Sequence, residues 1–227
     1  MDKKSFIEIQ TETIADHASS LEPFKKLRTN LMYTENLNVI SVTSSIPDEG
    51  KTVIAFNLAY AFAQMGKKVC LVDCDLRRTS LKEYLMITDK HEGVSELLTN
   101  QGKDVLNRTN IDNLYIMLAG KRPPNPSEIL SSSHFVEMIE ALREKFDYVI
   151  IDTPPVAAGS DATVISRVVD GTVFVLRNEF TSKKVAKRAI SELSNNGGRV
   201  VGVVLSRVKA SSQDYGRYGY YGYYGYY

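Results

Sequence analysis

Apolar runs of strand length alternate along the chain with stretches in which apolar residues recur every three or four positions. The strand candidates are 39–43, 68–73, 113–118, 148–152, 171–176 and 200–206. Several are nearly unbroken Val/Ile/Leu runs rather than strict alternations, the pattern of strands covered on both faces. Helical patterns lie between them. Residues 53–65 are rich in Ala and Leu and end at Gly66, a natural C-cap. Residues 126–146 place Pro126 in a first turn and then bring Ile129, Leu130, Phe135, Met138, Ile139 and Leu142 to one side. Residues 182–193 run into Asn195-Asn196-Gly197-Gly198, a stop signal. A further helix over 21–33, with Phe24, Leu27 and Leu31 on one side, precedes the first strand. The succession predicts an α/β fold: a mostly parallel sheet flanked by helices on both faces, joined by right-handed crossovers. Ligands of such folds bind at the carboxyl ends of the strands.

Composition adds limits. With 227 residues, 43% hydrophobic, the chain suits one large domain, expected over residues 1–210. Net charge is +1, so no bulk electrostatic attraction to nucleic acid exists. The first twenty residues are polar and mixed in charge, unlike a signal or transit peptide, and no apolar run approaches a membrane span. A cytoplasmic protein is expected. Cys70 and Cys74 are not spaced as Cys-x-x-Cys and have no His near them, so they read as core residues.

The first strand runs into Ser-Ser-Ile-Pro-Asp-Glu-Gly-Lys-Thr, residues 44–52, and a helix follows. Strand, loop and helix N-terminus in that order make a phosphate cradle: backbone N–H groups point at phosphate oxygens and the helix dipole favours their charge. Pro47, Asp48, Glu49, Gly50, Lys51, Thr52 and Val53 are the candidate nucleotide-binding residues of this P-loop NTPase-like fold. Gly50 permits close approach, Lys51 meets β- and γ-phosphate oxygens, and Thr52 places its hydroxyl on Mg²⁺. Ser45 stands where the usual pattern opens with Gly. The second strand ends in Asp73-Cys74-Asp75, a pair of carboxylates suited to organising Mg²⁺ and to accepting a proton; a salt bridge to Arg77 or Arg78 is the structural alternative. The strand over 148–152 ends in Asp152, placed to hold Mg²⁺ or its water. ATP with Mg²⁺ is therefore the expected ligand.

Residues 211–227, SSQDYGRYGYYGYYGYY, are of low complexity and are expected to form a flexible tail. Eight of the thirteen tyrosines lie there: Tyr215, Tyr218, Tyr220, Tyr221, Tyr223, Tyr224, Tyr226 and Tyr227. A sticky Tyr/Gly segment is one reading; a nucleic-acid surface is disfavoured by its single cation, Arg217. Phosphoryl acceptance is the third. With the last strand parallel to the first, the tail leaves on the phosphate edge. At about 3.3 Å per residue, residues 215 to 227 reach roughly 23 to 63 Å beyond residue 208, far enough for a neighbour's site.

The P-loop, the acidic pair, Asp152 and the tyrosine cluster together resemble the bacterial tyrosine kinases of capsule and exopolysaccharide synthesis. These belong among the P-loop ATPases that include the MinD and ParA types. The resemblance spans nearly the whole chain. It implies a protein-tyrosine autokinase in which Lys51, Asp73 and Asp75 are catalytic and Thr52, Asp75 and Asp152 hold the metal. The tail tyrosines would be phosphorylated in trans. It also implies a membrane-anchored partner whose cytoplasmic segment activates the kinase and recruits it to the inner face of the membrane, a cognate tyrosine phosphatase, and a ring-shaped homo-oligomer. In such kinases Glu-x-x-Arg-x-x-Arg on the N-terminal helix makes the ring contact. Here the helix, placed at 21–34, carries Glu22, Lys25 and Arg28, and Lys25 cannot reproduce a bidentate Arg–carboxylate contact. A MinD/ParA-like dimerisation switch without kinase activity is the alternative. Those proteins typically carry an extra lysine early in the P-loop, and none stands at 44–47.

Overall fold

In a computed structural model, residues 6–10, 21–78, 80–102 and 104–208 are described, so the tyrosine-rich segment lies outside the described residues. Eight strands form one sheet: β1 (Phe6–Ile7), β2 (Val39–Ser44), β3 (Val69–Asp73), β4 (Asn107–Thr109), β5 (Leu114–Met117), β6 (Tyr148–Asp152), β7 (Gly171–Arg177) and β8 (Val200–Ser206). Their order is β1-β4-β5-β3-β6-β2-β7-β8. Every pairing is parallel except β4 with β5. The helices are α1 (Leu21–Met32), α2 (Lys51–Ala63), α3 (Ser80–Tyr84), α4 (Val94–Leu98), α5 (Pro126–Leu130), α6 (Ser133–Lys145), α7 (Asp161–Ser166) and α8 (Lys183–Asn195), with a 3₁₀ turn at Val156–Ala158. None is long and apolar enough to cross a membrane.

The unbroken apolar strands are explained by what covers them. Ile40, Val42, Leu71 and Ile150 face a core that contains Phe56, Leu58 and Phe62 of α2. Their neighbours Val39, Cys70, Val72, Val149 and Ile151 face a second core with Phe135, Ile139 and Leu142 of α6. Both cysteines are buried and free, as core residues. Helix α2 lies almost wholly buried and stops as expected: Gly66 has φ 80°, and Lys67 N–H reaches Phe62 O while Gly66 N–H reaches Ala63 O, a Schellman close. The same pattern closes α8 at Gly197 and Gly198.

Two expectations change. The helix expected at 53–65 begins two residues earlier, because Lys51 and Thr52 occupy the first turn, where polar residues lose no partner. The single helix expected over 126–146 is two. Ser131 and Ser132 donate their hydroxyls back to Ser127 O and Ile129 O, and Ser132, extended, then caps α6 by accepting from Phe135 N–H. Strands β1 and β4 and the short helices α3, α4 and α7 carry too few residues to show a period.

Glu96 ties the non-parallel side to the rest. Its carboxylate accepts from Gly93 N–H at 2.9 Å, Ser95 Oγ at 3.0 Å and Lys121 N–H at 3.0 Å. Gly120 must be glycine, since a Cβ there would meet Glu96 Oε2 at 1.9 Å. Burial alone would raise the acid, but these donors outweigh it and hold it below the usual carboxylate range. A depressed acid stabilises the fold above its unfolded pKa of about 4.3, and that contribution fades as pH falls through the folded value. Glu96→Gln is therefore expected to lower urea stability at pH 7, with the gap to the unmodified chain closing below about pH 4.

Candidate functional site

Parallel pairing puts the chemistry of five adjacent strands on one edge. Asp73 ends β3 and Asp152 ends β6, and the two are register partners. Strand β2 ends at Ser44 and opens the P-loop; β7 and β8 end at Arg177 and Ser206. The turn after β6 is stitched to β2 by Thr153 N–H to Val42 O at 3.1 Å, and to the loop by Ala157 N–H to Ser45 O at 3.0 Å.

The P-loop is held from within. The Glu49 carboxyl group is fully buried. One oxygen accepts from Ile46 N–H at 2.9 Å; the other accepts from Arg177 N–H at 3.2 Å and Thr181 Oγ1 at 2.5 Å. Its carbonyl accepts from Ser206 Oγ at 2.6 Å. Its side chain thus turns inward, joining the loop to the ends of β7 and β8. This internal carboxylate gives the loop a fixed shape although Ser45 replaces the usual Gly. Gly50 follows with φ 89°, a left-handed value that an L side chain would strain, and starts α2. The free N–H groups of the first turn then face the cleft.

That cleft has a volume of about 420 Å³. Pro47, Asp48, Gly50, Lys51, Thr52, Val53 and Asp75 line it, together with Tyr84, Pro154, Pro155 and Arg207, which the motifs alone did not single out, and with Arg77 and Arg78, which the sequence marked only as possible partners of the acidic pair. Lys51 Nζ stands 3.4 Å from Asp75 Oδ2. Neither Arg77 nor Arg78 takes Asp75 as its salt-bridge partner: Arg77 pairs with Asp161, and Arg78 with Asp48 at 3.4 Å. Asp75 N–H donates to Asp73 Oδ1 at 3.0 Å, and Asp75 Oδ1 accepts from Arg78 N–H at 3.1 Å.

Beneath the cleft lie Asp73 and Asp152, both fully buried. Asp73 Oδ2 and both oxygens of Asp152 have no hydrogen-bond partner of ordinary geometry. Burial, and then the neighbouring Asp152, push Asp73 well above the carboxylate range. Burial raises Asp152 to about 6, against the pull of Lys51 and the Thr52 hydroxyl. Two adjoining acids with orphaned oxygens fit a divalent cation, whose charge would offset what burial costs them. Among the described residues no three His, Cys, Asp or Glu side chains form a ready-made cage. A Mg²⁺ on a nucleotide needs none, because phosphate oxygens and water supply most of its ligands. Thr52, Asp75 and Asp152 are the side chains that would complete that set.

The N-terminal helix offers less than its sequence suggests. Lys25 pairs with Glu22 at 2.6 Å on the surface. Arg28 turns inward and donates to Ala61 O at 2.8 Å, closing the end of α2.

Comparison with known proteins agrees with this geometry. The ParA family model, described as an NUBPL iron-transfer P-loop NTPase, matches residues 36–217. Tyrosine-protein kinase CpsD of Streptococcus pneumoniae serotype 4 is 37% identical over 198 residues, 86% of this chain and 87% of that one. Tyrosine-protein kinase wzc of Salmonella typhimurium is 36% identical over 206 residues, which are 87% of this chain but 28% of the longer protein. Among solved structures, the chimerical protein CapA2B2 superimposes with a TM-score of 0.81 at 32% identity, covering 91% of this chain and 94% of its own. The septum site-determining protein MinD of Pyrococcus horikoshii, complexed with Mg-ADP, gives 0.66 at 25% identity, covering 78% and 73%.

The raised acids make a thermodynamic prediction. A carboxylate with pKa about 6 when folded and about 3.9 when unfolded costs the fold stability as pH rises through that window. Asp152→Asn removes the charge, so the ligand-free protein should gain on the order of 2 kcal/mol at pH 7 and little at pH 4. Urea melts at the two pH values check this.

Proposed function

The chain belongs to the bacterial tyrosine-kinase family with a ParA-like P-loop fold, and from that premise we propose that it binds Mg²⁺-ATP in the Lys51 cleft and phosphorylates the C-terminal tyrosines of a neighbouring copy. The observation that carries this reading is the pair of register-matched buried acids, Asp73 and Asp152, beside Lys51 and Asp75 on the sheet edge where β8 ends. That edge supports more than nucleotide storage, since it joins a phosphate cradle to a carboxylate able to take a proton.

In this reading Gly50, Lys51 and Thr52 hold the phosphates, and Thr52, Asp75 and Asp152 hold the cation, which supplies charge neutralisation for the transferred group. Phosphates draw Lys51 from Asp75. A tyrosine hydroxyl, with pKa about 10, loses its proton to Asp73 or Asp75 as its oxygen attacks the γ-phosphorus and ADP leaves. Positioning and charge carry most of the acceleration. The last described residue of β8's exit, Val208, leaves Tyr215 through Tyr227 within roughly 23 to 63 Å, a reach that includes an adjoining subunit. Each phosphotyrosine brings about −1.5 to −2 charges, so a multiply phosphorylated segment is repelled from the acidic edge and the assembly loosens.

The longer relative wzc, of which this chain spans 28%, supports a division of labour. A separate membrane-anchored protein of the polysaccharide machinery, through its cytoplasmic segment, activates this kinase and brings it to the inner membrane face. A tyrosine phosphatase resets it, and capsule or exopolysaccharide synthesis is the process regulated. In a ring of copies, Glu22 and Lys25, exposed and paired with each other, would meet a neighbour, whereas Arg28 would first have to leave Ala61 O.

Purified protein given Mg²⁺-ATP and the partner's cytoplasmic segment should gain phosphotyrosine within residues 215–227, mapped by mass spectrometry. Lys51→Met and the Asp73→Ala/Asp75→Ala double variant should lose at least 100-fold in labelling rate. ATP hydrolysis without tail labelling would contradict the kinase reading and favour a MinD-like switch.

A further inference from the structure

The turn that carries Asp75 is anchored at its far end by Arg77, and the anchor is unusually complete. Arg77 Nε donates to Asp161 Oδ2 at 2.7 Å, and Nη2 donates to Asp161 Oδ1 at 3.0 Å. Nη2 also donates to Ser127 Oγ at 3.0 Å, while the Ser127 hydroxyl donates to Asp161. Asp161 is fully buried at the start of α7. A Cβ at Gly159 would stand 3.2 Å from Arg77 Nη2, so the guanidinium lies close against that backbone. Three segments meet in this one ion pair: the turn after β3, helix α5 through Ser127, and helix α7.

The segment that Arg77 grips is also the one that follows Asp152. It runs from Asp152 through Pro154 and Pro155 to Asp161, and midway Ala157 N–H bonds Ser45 O of the P-loop. Gripping Asp161 therefore fixes the Asp75 turn relative to both Asp152 and the phosphate loop. Lining the cleft, Arg77 could instead be read as a phosphate ligand. Three of its five N–H donors, however, are spent on Asp161 and Ser127, which fixes the guanidinium against that pair and leaves only the two on Nη1 for an anion. Arg78 is the contrasting case: exposed, with a 3.4 Å contact to an exposed Asp48.

We propose that Arg77 is a positioning residue, which clamps the Asp75 turn to Asp161 so that Asp75 is held beside the cation and the attacking hydroxyl, without touching the nucleotide itself. The proposal rests on the phosphoryl-transfer reading of the cleft. Only the planar fork of Arg satisfies Asp161 twice and Ser127 once, so a retained charge is not enough.

The test compares Arg77→Ala, Arg77→Lys, Asp161→Asn and the Arg77→Ala/Asp161→Asn double variant in the full chain. Two quantities are read: the Kd for Mg²⁺-ADP by calorimetry and the maximal rate of tail phosphorylation at saturating Mg²⁺-ATP. The clamp predicts Kd within threefold of the unmodified chain in every variant, which also certifies folding. It predicts a maximal rate at least tenfold lower in each, no rescue by Lys, and a double variant no slower than Arg77→Ala. Weakening of Mg²⁺-ADP binding by more than tenfold in Arg77→Ala, with Asp161→Asn silent, would make Arg77 a phosphate ligand and overturn the proposal. Unchanged rates with a lowered melting temperature would also overturn it, leaving Arg77 a purely structural residue. If the unmodified chain labels no tyrosine, the kinase reading fails separately, and the same rate criteria applied to Mg²⁺-dependent ATP hydrolysis decide the clamp.

Discussion

Two buried carboxylates side by side, each raised by its burial, set the constraint on which this edge of the sheet depends. Asp73 and Asp152 stand opposite each other on adjacent parallel strands, fully buried, with three of their four oxygens unpaired. Without a counter-charge such a pair is held up only by protonation, which is the meaning of their raised pKa values. The β3–β6 pairing keeps them there because a one-residue slip would exchange side chains between two differently packed cores. The Lys51 side chain, 3.4 Å from Asp75, lowers the cost of both acids without removing it.

Glu49 is buried on the same edge too, but its carboxyl group is satisfied: Ile46, Arg177 and Thr181 donate to it, and Ser206 donates to its backbone carbonyl. The contrast between Glu49 and Asp152 separates scaffold from site within one edge of the sheet. A carboxylate with donors on both oxygens sets shape; one without well-placed donors is suited to binding a cation. Through Ser206 the loop is also joined to β8, the strand after which the tyrosine-rich segment begins. Phosphate cradle and the approach to the tyrosine-rich segment thus share one structural element.

Much of this was legible before any coordinates. Unbroken Val/Ile/Leu runs announced two-sided burial, and the motif positions at strand ends placed Lys51, Asp73, Asp75 and Asp152 on one edge by topology alone. What escaped was short or reciprocal. Strands β1 and β4 have two and three residues, too few to show a period. The break at Ser131–Ser132 depends on hydroxyls choosing backbone carbonyls, which the apolar pattern does not record. The inward turn of Glu49 and the pairing of Arg77 with Asp161, 84 positions away, depend on partners that no local pattern connects. Arg28, marked in the sequence for a contact between subunits, donates to Ala61 O of its own chain, a bond that the spacing of charges on the helix does not reveal.

The central claim is that this edge transfers phosphate to tyrosines carried by another copy. It is tested most directly by separating the two roles into different chains. A chain ending at residue 210 keeps the whole site and has no tail; a full-length Lys51→Met chain keeps the tail and lacks the phosphate-binding lysine. Mixed with Mg²⁺-ATP and the activating segment, the pair should place phosphotyrosine on the tail of the Lys51→Met chain, which alone stays unlabelled. An unlabelled tail in the mixture, with ATP still hydrolysed by the truncated chain, would contradict the account.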